Sequence, residues 1–182
     1  MPCVFWHRAQ MWHSLLAENV DTTASHPETW DFLAQLVTGL NARTVVEAGT
    51  YRGHAALAMA EAMRVGCIDG CIYTADVADH GVEALAEQAE LSRYISFTLG
   101  RFEAMVEPLD GIDLAFIDAS EEQTPALRIH YLNLVWKKLS PNGVVVCDDA
   151  TNDEWPGARM LRDSCHLYLP GGHGLAVFQK KP

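Results

Sequence analysis

From Thr44 onward, short β-branched runs alternate with longer helical stretches, which restricts the chain to a parallel sheet covered by helices on both faces. The strand runs fall at 44–47, 71–75, 95–99, 114–117 and 144–147. Helical crossovers at 54–64, 81–91, 103–109 and 125–139 join them, the first rich in Ala, Leu, Met and Glu, which are strong helix formers. Pro125 suits a helix first turn, with Thr124 as its cap. After Val146 the pattern changes. Residues 155–165 can be helical, and 166–169 and 175–180 are short strands joined by Pro170-Gly171-Gly172-His173-Gly174, a hairpin signal. The sheet is thus expected to end in an antiparallel element.

Upstream, Pro27–Leu40 reads as an amphipathic helix with Trp30, Leu33, Leu36, Val37 and Leu40 on one face, packed beside the sheet or over its ligand edge. Residues 4–20 mix Phe5, Trp6, Met11, Trp12, Leu15 and Leu16 with polar residues; a helix there can be a substrate lid, a homodimer contact or plain packing. The 182 residues, 49% of them apolar, fit one domain, with 1–26 as an N-terminal segment and 27–182 as the core. A charge of -11, from 13 Lys and Arg against 24 Asp and Glu, repels phosphate backbones, and no basic cluster exceeds a pair such as Lys137-Lys138. No nucleic-acid partner is expected. Nor is a membrane span, since no run of about 18 apolar residues occurs, and residues 1–8 lack a secretion signal's basic and apolar parts. Five cysteines, three in apolar contexts, with Cys67 and Cys71 spaced one residue too far for a CxxC pair, suit a reducing cytoplasm.

The most informative segment is Glu47-Ala48-Gly49-Thr50-Tyr51-Arg52-Gly53, where the first strand turns into the first helix. Its spacing is E-x-G-x-x-x-G. A dinucleotide fingerprint wants a second early glycine so that backbone can approach a pyrophosphate, and here that position is Tyr51. Two glycines four apart still allow a sharp turn, and the helix starting near His54 offers free N–H groups to a carboxylate. An amino-acid moiety satisfies both; a generic βα turn with packing glycines also fits. Asp76 ends the second strand, where an acid can accept both hydroxyls of a ribose. Gly100, Arg101, Phe102 and Glu103 follow the third strand, where an aromatic and a polar edge can hold a purine, and Asp118 closes the fourth. Four strand ends therefore present polar or glycine residues to one sheet edge.

With these residues in order, the chain resembles class I S-adenosylmethionine (SAM) dependent methyltransferases. It is most similar to the catechol and caffeoyl-CoA O-methyltransferase family and to related small O-methyltransferases of natural-product pathways. The resemblance runs from residue 27 to the end: 27–33, the 47–53 loop, Asp76, the Asp118 strand, the 143–149 strand and the 169–175 hairpin. It implies a Rossmann-like three-layer αβα sandwich whose seven-stranded, mostly parallel sheet has its last strand antiparallel. Carried over, Glu47, Gly49, Tyr51 and Gly53 line the methionine part of the cofactor. Asp76 holds the ribose hydroxyls with Val77 beside it, Phe102 and Glu103 border the adenine, and Asp118 also faces the cofactor. The resemblance further implies that Asp118, Asp148 and Asp149 coordinate a divalent cation, magnesium or another hard ion, that chelates two vicinal oxygens of a small-molecule substrate.

Several positions depart from that pattern. The metal-binding pair is Asp148-Asp149 where the family has Asp-Asn, with Asn152 offset. The lysine that the family places after the fourth-strand acid is absent from Asp118-Ala119-Ser120-Glu121-Glu122-Gln123, and His54 replaces a small residue after the loop glycine. Catalytic candidates are then Asp118, Glu121 and His130, with His54 and His80 as further bases. The acidic clusters 118–122 and 148–154 can hold a metal, cap helices as a solvated rim, or favour the cationic sulfonium of the cofactor or a cationic substrate. Trp6, Trp12, Trp30 and Trp155 can wall an aromatic pocket or simply pack. Two alternatives stand beside metal-assisted O-methyl transfer: a metal-independent sugar or antibiotic O-methyltransferase with a histidine or carboxylate base, and a SAM-binding protein without catalysis.

Overall fold

Valine-rich runs that must be buried on both sides build the centre of this molecule, seen in a computed structural model that describes residues 25–119, 125–150, 165–169 and 174–182. The strands are Thr44–Ala48 (β1), Cys71–Asp76 (β2), Ile95–Leu99 (β3), Ile112–Ile117 (β4), Leu139–Cys147 (β5), Cys165–Leu169 (β6) and Leu175–Gln179 (β7). They form one sheet in the order β3-β2-β1-β4-β5-β7-β6. β1 through β5 pair in parallel, and β7 runs antiparallel to both neighbours. The expected architecture is therefore present. The helical reading of 4–20, the Thr124 cap, the helix over 155–164, the 170–173 link and Glu121 lie outside the described residues.

Alternation along each central strand divides the core into two halves. Val45, Leu114, Phe116, Val144 and Val146 face one side, while Val46, Ala115, Ile117, Val145 and Cys147 face the other. The helices Pro27–Leu40 (α1), His54–Val65 (α2) and Val82–Gln88 (α3) cover the first face, and Phe102–Val106 (α4) and Pro125–Lys138 (α5) the second. Of the α1 face read from sequence, Trp30, Leu33 and Val37 are fully buried with Thr29, and Leu36 and Leu40 pack partly buried at its border. The helix lies along α2. Pro27 opens α1, and Asn41, in the left-handed region at φ 51°, closes it with backbone bonds to Thr38 and Val37.

Element ends differ from expectation where backbone geometry overrides composition. β5 starts at Leu139 because a register shift between Ile112 and Leu114 admits Ser140-Pro141-Asn142-Gly143 as a bulge before the valines. α3 stops at Gln88, before Glu90 turns left-handed at φ 58°, and a 3-10 turn at Ser92–Tyr94 leads into β3. α4 ends at Val106 rather than near Leu109. Cys147 is buried, Cys71 half-buried and Cys67 exposed, all as free thiols. Among the described residues no helix is long and apolar enough to cross a membrane.

The topology fixes where a ligand can sit. From β1 the chain winds outward through β2 and β3, then returns to place β4 on the other side of β1. Crossovers diverge at that point, leaving a crevice beyond the carboxyl ends of the strands. Register keeps those ends level: Ala48 pairs with both Ala75 and Ile117, Asp76 with Leu99, and Ile117 with Cys147.

Candidate functional site

The crevice is a cavity of about 430 Å³ lined by the loop after β1 and by the ends of β2, β3 and β4. Its floor requires glycine at residue 49. Gly49 sits at φ 90°, and a Cβ there would lie 2.4 Å from the Asp118 carbonyl oxygen and 2.9 Å from Ala119 Cα. Those neighbours are backbone and cannot swing away. Gly53, at φ 80°, stands behind the loop, where a Cβ would meet Val82 Cγ2 at 2.4 Å. It then starts α2, whose first N–H groups have no acceptor within the helix and end near the cavity.

Two acids occupy different depths. Glu47 is buried at the end of β1, where its Oε2 accepts the Thr74 hydroxyl. Thr50 is left to donate to Thr74. Burial foremost, with the charge of Asp76 added and the Thr74 bond opposing, pushes the Glu47 carboxyl up to about 8. Asp76 lies nearer the rim and is pinned by backbone: its Oδ2 accepts the Tyr51 N–H at 2.7 Å and its Oδ1 the Ala78 N–H at 3.0 Å. Each oxygen keeps lone-pair capacity for another donor. Val77 is 81% exposed beside it, an apolar side chain offered to the cavity. The Tyr51 and His80 rings meet edge to face at 4.8 Å, with the Arg52 guanidinium 5.5 Å from the Tyr51 ring.

At the β3 end, Phe102 tilts against Tyr131 at 5.0 Å, and both line the cavity. Glu103 stands beside them; among the described residues its buried Oε2 has no hydrogen-bond partner, which leaves it able to accept from a ligand. His130 lies behind this group, 3.6 Å from Glu103 Oε1 with its side chain 56% exposed, and does not line the cavity. His54, by contrast, lines it, buried and stacked on Trp30 at 4.7 Å, whose indole N–H donates to Ser25.

Asp118, Asp148 and Asp149 come together at the ends of β4 and β5. The Asp118 N–H donates to the Ala48 carbonyl and the Asp148 N–H to the Ile117 carbonyl, which continues the ladder past the strands. Burial, then the charges of Asp148, Asp149 and Glu47, raise the Asp118 carboxyl well above the usual range, with Arg128 opposing. Asp148 Oδ1 accepts the Asp149 N–H at 2.8 Å. Asp149 Oδ2 accepts Arg128 Nη2–H at 2.9 Å. The donor set does not fit a divalent cation: a third carboxylate is already engaged by a guanidinium, and among the described residues no three His, Cys, Asp or Glu side chains form a metal-holding group.

The structure thus brings Glu47, Gly49, Tyr51, Asp76, Val77, Phe102, Glu103 and Asp118 to one cavity, with Gly53 shaping it from behind. It adds residues the sequence reading passed over. Thr74 lies inside β2 with no motif to mark it, and Thr50 holds one of the unspecified positions of the E-x-G-x-x-x-G loop. Arg128 carried a signal: it shares the inward stripe of α5 with Tyr131, Leu132 and Val135, where a cation needs a partner.

A family model described as Methyltransferase domain matches residues 46–150. No curated protein matches the chain. Among solved structures, the SAH-bound methyltransferase PaMTH1 of Podospora anserina is similar at TM-score 0.74 and 18% identity, over 96% of this chain and 87% of that one. The O-methyltransferase TomG of Streptomyces achromogenes, involved in tomaymycin synthesis and solved with SAM, is similar at TM-score 0.71 and 18% identity, over 97% and 89%. An O-methyltransferase of Bacillus cereus in complex with SAH gives 0.69 and 20%, over 94% and 90%. At these identities the likeness is one of fold.

Proposed function

The chain belongs to the methyltransferase-domain family, whose model spans more than half of it, and on that premise we propose that it transfers a methyl group from SAM to a hydroxyl oxygen of a small molecule. Bound SAM supplies a methyl on a cationic sulfonium, open to in-line attack by oxygen. One observation carries the reading: Glu47 and Asp76, two acids at different depths, flank a side-chain-free floor at Gly49 inside one cavity. An amino acid joined to a nucleoside is a ligand that needs both acids and that floor. The fold relatives solved with SAM or SAH support the same choice.

In this reading Glu47 receives the ammonium of the methionine part, and the first-turn N–H groups of α2 receive its carboxylate. Asp76, held in place by Tyr51 and Ala78, accepts the ribose hydroxyls. Phe102 and the open Oε2 of Glu103 face the purine. Asp118, which lines the same cavity and whose backbone lies against Gly49, takes the acceptor proton in this reading as the oxygen attacks. Positioning accounts for most of the catalysis, because the leaving thioether needs no proton. The carboxylates also favour the sulfonium over the neutral product, which assists release.

The test is methyl transfer from isotopically labelled SAM into a panel of phenols and alcohols. Labelled ethers, lost in Asp118→Asn, are expected. Cofactor binding with no transfer to any hydroxyl, nitrogen or thiol acceptor would reduce the protein to a SAM binder.

A further inference from the structure

Arg128 puts a guanidinium among the three carboxylates that close β4 and β5. Its Nη2–H donates to Asp149 Oδ2 at 2.9 Å and its Nη1–H to the Asp149 carbonyl at 3.3 Å. The same charge bears on Asp118 and Cys147. Placement three, four and seven residues before Tyr131, Leu132 and Val135 sets its stem on the packed stripe of α5, so the head is delivered to the strand ends. The pair is partly buried, with side chains 21% and 29% exposed. Charges there are screened less than on an open surface, and a two-point contact fixes Asp149 in orientation as well as in charge. A divalent cation at this spot would have to displace the guanidinium from Asp149 and then sit beside a group of like charge, which is costly in a partly buried site.

We propose that Arg128 fills the place that a divalent cation would take in this site. It positions Asp149, offsets the charge of Asp118 and Asp148, and makes methyl transfer independent of divalent metal. The inference rests on the SAM-dependent reading above and narrows its substrate class: with no metal to bridge two vicinal oxygens, an acceptor carrying a single hydroxyl suffices.

Manganese provides the test. The full chain is mixed with SAH, and free Mn²⁺ is followed by its paramagnetic resonance signal. Wild type and Arg128→Lys are expected to leave Mn²⁺ free at submillimolar concentration, and chelator to leave SAH affinity unchanged. Arg128→Gln, with the carboxylates left and the guanidinium gone, is expected to bind one Mn²⁺ at least about tenfold more tightly than wild type, and Asp149→Asn added to it to remove that binding. A purely structural role for Arg128 would not create a metal site. Uptake of Mn²⁺ by wild type, chelator-sensitive SAH affinity, or a folded Arg128→Gln that gains no Mn²⁺ would each overturn the proposal. Arg128→Met, which keeps the stem, replaces Arg128→Gln should that variant not fold, and the wild-type arm needs no variant. A wild type that binds no SAH sinks the methyltransferase reading instead, and the same Mn²⁺ titration without SAH still decides this one.

Discussion

Single residues set the chemistry of the cavity, and Glu47 sets its pH dependence. Its carboxyl, raised from 4.5 to about 8 chiefly by burial, holds a proton at neutral pH in the empty site, with the Thr74 hydrogen bond opposing and Asp76 as the charged group acting on it. A raised carboxyl pKa means that the folded state binds the extra proton, so its stability contribution is full below about 4.5 and is lost as pH climbs to about 8. Thermal unfolding of the empty protein should therefore show a decline over that window that Glu47→Gln removes. Pairing with an ammonium needs the ionised form. SAM affinity should rise by up to about tenfold per pH unit below 8 and level above it, and Glu47→Gln should flatten that slope; a slope retained in the variant would move the proton to another group. Gly49 sets the floor. Gly49→Ala combines a left-handed backbone, costing about 1–2 kcal/mol, with a Cβ 2.4 Å from the Asp118 carbonyl oxygen. Weakened SAH binding with a lowered midpoint in urea is the expected result.

Elements deliver those residues, and their legibility varied with how local the cause was. The 47–53 loop could be read because its constraint is local: two left-handed positions that need glycine, each with a neighbour a Cβ would strike. Strands β1, β2 and β3 were readable for the same reason, as short runs rich in β-branched and aromatic residues. β5 was readable only from Val144 on, since its first residues join the sheet through a bulge defined by Ile112 and Leu114 across the ladder. Thr74 stayed hidden because its partner Glu47 lies 27 residues away, and the stripe position of Arg128 pointed to a buried partner without identifying it as Asp149, 21 residues away and met only through packing. His130, chosen by residue type alone, stands 56% exposed behind Glu103, whereas His54 lines the cavity. α1 links structure to site, since its buried face packs on α2 while Trp30 backs His54. Leu33→Ala, wholly inside that contact, should cost about 2–5 kcal/mol in denaturant unfolding, while SAH affinity per folded molecule stays near wild type. A loss below about 1 kcal/mol would mean that α1 is peripheral to the core.

At the scale of the whole molecule, the winding of the sheet is what converts scattered acids into one site. β1 and β4 separate the two crossover directions, and every residue assigned to the cofactor stands at or just past the carboxyl end of β1, β2, β3 or β4. The net charge of -11 takes on a local meaning there. Glu47, Asp76 and Asp118 line the cavity, and the charges of Asp148 and Asp149 bear on Asp118 from the end of β5, which suits a ligand carrying positive charge. The central claim is that this cavity holds SAM through Glu47 and Asp76, and calorimetric titration with SAM and SAH tests it most directly. Wild type should bind each at one site in the micromolar range, and Asp76→Ala should lose about tenfold to a hundredfold, the worth of its charged hydrogen bonds to the ribose. Failure of the folded wild type to bind either molecule at millimolar concentration, or full affinity in Asp76→Ala, would contradict it.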